Sequence, residues 1–592
     1  MTVGLGQYRD LLIRYVGKQR RAVIILAALL LGNIALQLAS PQLLRRFIDG
    51  ALDGDERSTL LTLAVFFLGL AVMTQVVAVG ETYLAENVGW TATNKLRSDL
   101  ALHCLRLDMD FHNARTPGEL IERIDGDVTK LGNFFSRFVV HVLGNGLLFA
   151  GVLVLLWRIH WIAGAVLTVF GFISLLILLR LRNVGAPRWN AARQASAEVF
   201  GFIEERLAGT EDIRANGATA YTMRSSHVLA RNLLRRERIA GFFGSLTGST
   251  TVLLFALGTV LSLTLGAYLL SVRAISIGTV FLMYTYTELL TRPIEQIARQ
   301  MQDLQQAAAS IGRVQELLDA RATIKEGRAA LPSSVALSVE LEHVTFGYVG
   351  AQPVLRDVSF TLGPGETIGI LGRTGSGKTT ITRLLCRLYD PQQGAVRLGG
   401  VDLREAQLES IRSHVGVVTQ DIQLFHASVR DNLTLFDSRI TDAAIKRVLD
   451  ELELGHWYRA LPLGLETVLD HGGGLSAGEA QLLAFARVFL VDPGLVILDE
   501  ASSRLDPATE RRLDHAVARV MQGRTGIIIA HRLSTVQRVD TIMVLEQGQV
   551  AEYGARAALA ADSMSRFAGL LRTGMEEPMR TNPTSTIENL RS

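Results

Sequence analysis

Gly372-Arg373-Thr374-Gly375-Ser376-Gly377-Lys378-Thr379 follows the apolar run Thr367-Ile368-Gly369-Ile370-Leu371 and leads through Thr380 into Ile381-Thr382-Arg383-Leu384-Leu385. The pattern G-x-x-x-x-G-K-[ST] between a strand and a helix is a phosphate-binding loop. Its glycines let backbone N–H groups close around a polyphosphate, and the helix that follows turns its positive end toward it. Lys378 reaches the terminal phosphates, and the Thr379 hydroxyl is placed for Mg²⁺. The segment predicts nucleoside triphosphate binding.

Around this loop, from about residue 338 to 575, short β-branched runs alternate with helical patterns, which predicts an α/β P-loop NTPase domain. Leu495-Val496-Ile497-Leu498 reads as a buried strand, with Asp499 and Glu500 at its carboxyl end, where such sheets bind ligands. Alone, a strand ending in two carboxylates says little. Downstream of a phosphate loop it predicts Mg²⁺ held through Asp499 and a water polarised by Glu500 as general base.

The first half of the chain is different. Of 592 residues 48% are hydrophobic, and the mean hydropathy of +0.26 is high for a chain with so large a polar ATPase segment. Six segments are long and apolar enough to span a bilayer, roughly 22–44, 60–80, 137–157, 161–181, 246–270 and 276–296. The last two are rich in Ser, Thr and Gly, which suits helices packed on protein or lining a cavity. Short loops follow the first, third and fifth segments. Long, arginine-rich, helical loops follow the second and fourth and turn back near Arg115-Thr116-Pro117-Gly118 and between Gly209 and Gly217. The positive-inside rule places both termini and the long loops in the cytoplasm.

The expected organisation is an all-α polytopic membrane domain over 1–310, a linker over 311–337, the ATPase over 338–575 and a disordered tail over 576–592. No cleavable signal is read at the start. The net charge of +3 gives no reason to expect a nucleic-acid partner. Cys104 and Cys386 read as ordinary buried thiols, neither a disulfide nor a metal site. Inside the spans Glu288 is costly unless it lines a wet cavity, pairs with Arg292 or lies in a helical extension outside the bilayer.

Several further motifs resemble those of ABC transporters. Leu475-Ser476-Ala477-Gly478-Glu479 is similar to the family's signature loop, usually Leu-Ser-Gly-Gly-Gln. Gln420 matches the Q-loop glutamine that touches Mg²⁺, His531 the switch histidine that contacts the γ-phosphate, and Ser503-Arg504-Leu505-Asp506 the D-loop. Tyr348 matches the aromatic that stacks on adenine. Phe111-His112-Asn113 and Glu211-Asp212-Ile213-Arg214 resemble the two coupling regions. With six spans and a C-terminal ATPase, nearly the whole chain resembles an exporter-type half-transporter. The resemblance implies ATP and Mg²⁺ as ligands, catalysis through Glu500, His531 and Gln420, and a metal held by Thr379, Gln420 and Asp499. It also implies a bilayer, a second half-transporter subunit, and Ser476 and Gly478 serving the nucleotide on that subunit.

The departures from the family pattern share a location. Ala477 replaces Gly, Glu479 replaces Gln, and Arg504 stands where a small residue is usual, whereas Lys378, Thr379, Gln420, Asp499, Glu500 and His531 are intact. The surfaces offered to a partner are altered and the chain's own hydrolytic set is not. A heterodimer with its working site here is the favoured expectation, and a homodimer is the alternative. The expected cargo is a lipophilic or amphipathic small molecule, moved outward across a bacterial inner membrane. A siderophore importer of the same fold and an ATP-gated channel are the other readings.

Overall fold

The computed structural model describes residues 13–133, 142–348, 352–420, 422–469, 475–499, 507–530 and 536–573. The chain forms two units, one of Met1–Arg106 with Thr116–Arg321 and one of Leu107–Arg115 with Ala322–Ser592.

The first unit is helical. Its long helices are α1 (Arg20–Asp53), α2 (Arg57–Leu105), α3 (Asn145–Ile159), α4 (Trp161–Ala208), α5 (Thr219–Ser271) and α6 (Ile277–Asp319). At 1.5 Å per residue the 49 residues of α2 extend roughly 70 Å, more than twice the hydrocarbon thickness of a bilayer. Sequence chemistry sets the helix ends. Gly54 at φ 84° closes α1, and the Ser276 hydroxyl accepts the Thr279 N–H at 3.1 Å to open α6. Gly209 caps α4, and Gly217 at φ 64° makes the turn before α5.

Five helices are long and apolar enough to cross a membrane among the described residues: Gly17–Asp53, Arg57–Leu105, Val142–Ile159, Trp161–Ala208 and Thr219–Ser271. The sixth expected span falls in α6, which does not reach that hydropathy. The reason is its position. Leu282, Met283, Tyr286, Leu290 and Ile294 are buried in the bundle core with Leu156, Leu167 and Leu269, so α6 is solvated by protein and tolerates polar residues. Tyr286 accordingly finds partners, donating to Leu38 O at 2.9 Å and accepting from Gln42 Nε2 at 2.8 Å. The outer face of α2 is the opposite case. Leu61, Val65, Phe66, Leu68, Val72 and Val76 are each more than half exposed, a surface that hydrocarbon tolerates and water does not.

Beyond the apolar stretches, the helical extensions hold a buried carboxylate in ion pairs. Asp127 is fully buried, and Arg313 grips it with Nε donating to Oδ2 at 2.7 Å and Nη2 to Oδ1 at 2.5 Å, with the Ser310 hydroxyl at 2.9 Å. Burial would raise the Asp127 pKa, but the hydrogen bonds from Arg313 and Ser310 and the positive charges of Arg313 and Lys130 outweigh it and hold the carboxyl below its ordinary value. Because the folded pKa is the lower one, this stabilisation is present above the ordinary carboxylate range and is lost as pH falls through the depressed value. Arg313→Met leaves the buried carboxylate with only the Ser310 hydroxyl and the more distant Lys130 ammonium at 3.5 Å. Arg313 is 43% exposed, so the expected loss is about 2 kcal/mol, less than for a fully buried pair. Thermal unfolding in detergent at neutral pH checks this, and an unchanged midpoint would contradict it.

Among its described residues the second unit carries three sheets over β1 (Val339–Phe346), β2 (Leu355–Leu362), β3 (Thr367–Leu371), β4 (Gln393–Leu398), β5 (Val401–Asp402), β6 (Val415–Val418), β7 (Ala427–Ser428), β8 (Val468–Leu469), β9 (Leu495–Asp499), β10 (Thr525–Ile529), β11 (Thr541–Glu546) and β12 (Gln549–Ala555). The main sheet runs β12-β11-β3-β10-β9-β6, parallel except for the β11–β12 hairpin. Its central strands are apolar on both faces because helices cover both. A four-stranded antiparallel sheet, β2-β1-β4-β5, packs its buried side on β3 and on helix α7 (Lys378–Leu385), and β7 pairs with β8.

The short helix Met109–Asn113, from the turn after α2, belongs to this second unit. Met109 packs on its core, Asn113 Nδ2 donates to the Tyr389 hydroxyl at 2.7 Å, and Asp108 accepts from the Thr323 hydroxyl at 2.7 Å. Cys386 lies in that core as a thiol, with burial pushing its pKa up to about 12, and neither it nor Cys104 is in a disulfide among the described residues.

Candidate functional site: a nucleotide-binding centre

Parallel pairing fixes the site. Ile529 of β10 pairs with Ile370 on one side and Asp499 on the other, and Val418 pairs with Leu498. The carboxyl ends of β3, β9 and β6 therefore lie along one edge, and Gly372, Asp499 and Gln420 follow from them. Asp499 is 6% exposed and Gln420 is exposed. Glu500, His531 and the segment Ser503–Asp506 with Arg504 lie outside the described residues, as do Asp470–Gly472.

The loop after β3 turns on glycines in conformations other residues adopt at a cost. Gly372, Gly375 and Gly377 have φ of 152°, 81° and 106°. A Cβ on Gly372 would stand 2.2 Å from Leu545 O, and one on Gly377 2.6 Å from Leu355 Cδ2, so both press against neighbouring strands. A Cβ on Gly375 would meet nothing within 4 Å, which leaves the concave side open. Lys378 is buried and spans the loop, Nζ donating to Gly372 O at 2.7 Å and Arg373 O at 3.2 Å. Ser376 Oγ is buried without a hydrogen-bond partner, while Arg373, Thr374 and Thr379 are exposed. An orphaned hydroxyl, an open cradle of N–H groups and a spanning ammonium fit a polyphosphate. Thr379 and Asp499 at its edge fit an oxygen-ligated Mg²⁺.

Tyr348 sits beside this loop. Its hydroxyl lies 3.2 Å from Thr380 Oγ1 and accepts from Arg383 Nη1 at 2.9 Å, and the Arg383 guanidinium stands 5.7 Å from the ring centroid. The ring also makes edge contacts with Phe346 and Tyr389 at 5.1 and 5.3 Å between centroids. Since Tyr389 is the residue that holds Asn113, the aromatic cluster connects Tyr348 to the helix Met109–Asn113. Sequence reading found both ends of this chain and missed Tyr389 between them.

The signature-like loop is in a different place. Ser476 caps helix α8 (Ala477–Val491), whose apolar face belongs to a second core beneath β6, β9 and β10. No hydrogen bond among the described residues joins Ser476 or Gly478 to the phosphate loop. Glu479 reaches back to its own cap. The Ser476 N–H and hydroxyl both donate to Glu479 Oε2, at 2.8 and 2.9 Å, and the Glu479 N–H donates to Ser476 Oγ at 3.2 Å. The serine proton is committed, and a full negative charge rests on the helix N-terminus.

A buried arginine ties α8 to the segment after Gln420. Arg487 Nε donates to Asn432 O at 2.8 Å and Nη2 to Gln423 O at 3.0 Å, and burial lowers its pKa. Asn432 in turn accepts from Phe425 N–H and donates to Phe425 O at 2.8 and 2.9 Å. The sequence signal was present but unused: Arg487 is the lone cation in Leu482-Leu-Ala-Phe-Ala-Arg487-Val-Phe-Leu490, and a buried cation requires acceptors. In the first unit Glu288 and Arg292 are both exposed and do not pair.

Known proteins match both units. The family described as "ABC transporter transmembrane region" matches residues 23–294, and "ABC transporter" matches 355–503. A fatty acid ABC transporter ATP-binding/permease protein of Mycobacterium tuberculosis is 31% identical over 79% of this chain and 74% of its own length. An ATP-dependent lipid A-core flippase of Alcanivorax borkumensis is 30% identical over 78% of this chain and 80% of its own. The solved structure of a bacterial Atm1-family ABC exporter with ATP bound shares the fold at a TM-score of 0.79, with 24% identity, over 96% of this chain and 99% of that one. A phosphate loop on the expected strand, helices too apolar for water and these two matches in order lead to one conclusion: the chain belongs to the ABC transporter family, with the exporter fold, and is a multi-pass membrane protein that couples ATP hydrolysis to transport.

Proposed function

We propose that the chain is the catalytically competent half of a heterodimeric exporter for an amphipathic small molecule, set in a bacterial cell membrane with both termini cytoplasmic. The observation that carries this reading is the Ser476–Glu479 capping box. In the family such a loop caps the γ-phosphate held by the opposite subunit. Here the serine hydroxyl donates to an internal carboxylate, and a second anion brought to the same helix end would meet that charge. The chain is thereby a poor cap for its partner's nucleotide, while Lys378, Thr379, Asp499 and Glu500 equip it to hydrolyse its own.

In this mechanism the phosphate loop holds the triphosphate and Tyr348 stacks on the base. Thr379, Gln420 and Asp499 would hold Mg²⁺, which would supply charge neutralisation for phosphoryl transfer. Glu500 takes the proton of the attacking water, and His531 contacts the γ-phosphate. Closure of the two ATPase domains on nucleotide moves the coupling helices, and hydrolysis releases them. The amphipathic cargo is supported by the relatives named for fatty acid and lipid A-core.

ATPase activity in lipid, for this chain alone and with its partner, tests the reading. Low activity alone, raised at least tenfold by the partner, is expected. Glu479→Gln should restore a neutral cap and raise the activity of the chain alone by about 3- to 10-fold, equivalent to about 1 kcal/mol of trans capping. Full turnover by the wild-type chain alone, with Glu479→Gln silent, would make the protein a homodimer.

A further inference from the structure

At the short-loop end of the first unit, α1, α3 and the α5–α6 turn border an open cavity of about 520 Å³. Arg45, Arg158 and Arg273 line it together with Gln42. Three guanidinium groups on one cavity repel one another unless an anion joins them. One internal anion reaches them: Asp49 pairs with Arg45, Oδ2 to Nε at 3.5 Å, and also accepts from the Ser276 hydroxyl at 2.7 Å and the Gly278 N–H at 2.9 Å, so a single carboxylate offsets one of the three charges. Arg158 and Arg273 have no side-chain hydrogen bond or ion pair among the described residues.

The backbone at Arg273 gives a second, independent indication. Its φ is 57°, in the left-handed region, and the turn is closed by Arg273 N–H to Leu270 O and Ala274 N–H to Leu269 O, both at 2.9 Å. Glycine would take this conformation without cost, yet the position carries the longest cationic side chain. The surroundings set the depth. Trp157 and Trp161 flank Arg158 in sequence and are 49% and 66% exposed, and Tyr268 precedes Arg273 and is 58% exposed. Exposed Trp and Tyr at the end of an apolar bundle mark the headgroup layer of a bilayer. Leu155, Ile159 and Ile275 form the apolar part of the wall beside the arginines, and Ala274, Ser276 and Thr279 complete it.

From this arrangement we infer that the cavity binds the anionic headgroup of an amphiphile, a phosphate or a carboxylate, with the first carbons of its chain on Leu155, Ile159 and Ile275. The planar guanidinium fork matches either oxyanion in two-point geometry, and few competing waters remain once the apolar wall is covered. The volume exceeds that of a bare phosphate and admits a headgroup with its linking atoms. The site rests on the membrane placement of this unit, not on the subunit arrangement proposed above.

The test uses the full-length protein in nanodiscs of phosphatidylcholine, titrated with a fluorescent fatty acid and with its methyl ester at low and high salt. Wild type is expected to prefer the acid by at least tenfold, with the preference falling as salt rises. Arg158→Gln with Arg273→Gln should reduce the preference to less than twofold, whereas Arg158→Lys, which keeps the charge, should retain most of it and controls for folding. Addition of phosphatidylglycerol separates the sources. If it displaces the acid, the site holds a bilayer headgroup. If it does not, and the acid stimulates ATPase in wild type but not in the double variant, the site holds cargo. Equal binding of acid and ester by wild type, or an unchanged preference in the double variant, would overturn the assignment. Basal ATPase, measured in parallel, reports on the subunit reading separately.

Discussion

Glu500→Gln is expected to leave ATP affinity within about twofold of wild type and to slow hydrolysis by about 10²–10⁴-fold, the range a positioned general base supplies. The change keeps size and polarity and removes only the ability to accept the water's proton. Glu500 follows Asp499, whose pairing with Ile529 of β10 puts it at the carboxyl edge of the sheet, one strand away from β3, which leads into the phosphate loop. A variant that still binds and closes but does not turn over should accumulate the closed state, read as ATP that resists exchange. Single-turnover hydrolysis with radiolabelled ATP checks the rate. Hydrolysis at the wild-type rate would remove Glu500 from the mechanism.

Lys378→Ala is expected to act one step earlier. The ammonium crosses the loop to Gly372 O and Arg373 O, and it is buried, so the alanine variant loses a phosphate ligand and the tie that holds the loop's shape. A charge-assisted hydrogen bond contributes about 1.5–3 kcal/mol. Losing one, and loosening the cradle with it, corresponds to at least about 100-fold weaker ATP binding. Titration with a fluorescent ATP analogue measures this, and thermal unfolding without nucleotide separates the local effect from misfolding. Binding as tight as wild type would show that the backbone cradle suffices. The two variants divide the cycle, since one blocks entry of nucleotide and the other blocks its destruction.

The sequence made the phosphate loop legible because a local pattern is sufficient there: a buried strand, three glycines and a lysine define a loop whatever lies around it. The strand ending in Asp499 was legible for the same reason, since four consecutive apolar residues require burial on both faces. The membrane helices were legible by length and hydropathy, with α6, read at 276–296, the least apolar of them. Its polarity depends on which neighbours cover it, and no window along the chain contains that information. Arg487 and Tyr389 were missed because their roles are non-local, one joining α8 to carbonyls 55 and 64 residues away, the other joining the aromatic cluster to Asn113 across 276 residues. The departure at Glu479 was visible in sequence, but its consequence was not. A Glu for a Gln reads as one added charge, whereas the structure shows that charge holding the serine whose hydroxyl the family uses.

The helix Met109–Asn113 has a consequence for how relatives can exchange parts. It is encoded between two membrane helices, yet Met109 completes the core of the ATPase and Asn113 caps Tyr389. The inheritable module is therefore discontinuous: nine residues, Leu107–Arg115, travel with a domain that begins more than two hundred positions later. Recombination at the 321/322 boundary alone would pair an ATPase with a foreign plug in its own core. Compatible exchange requires one further crossover on each side of that segment or compensating change at Met109 and Asn113. Substitutions at those two positions should consequently track the ATPase in descent rather than the membrane helices that flank them.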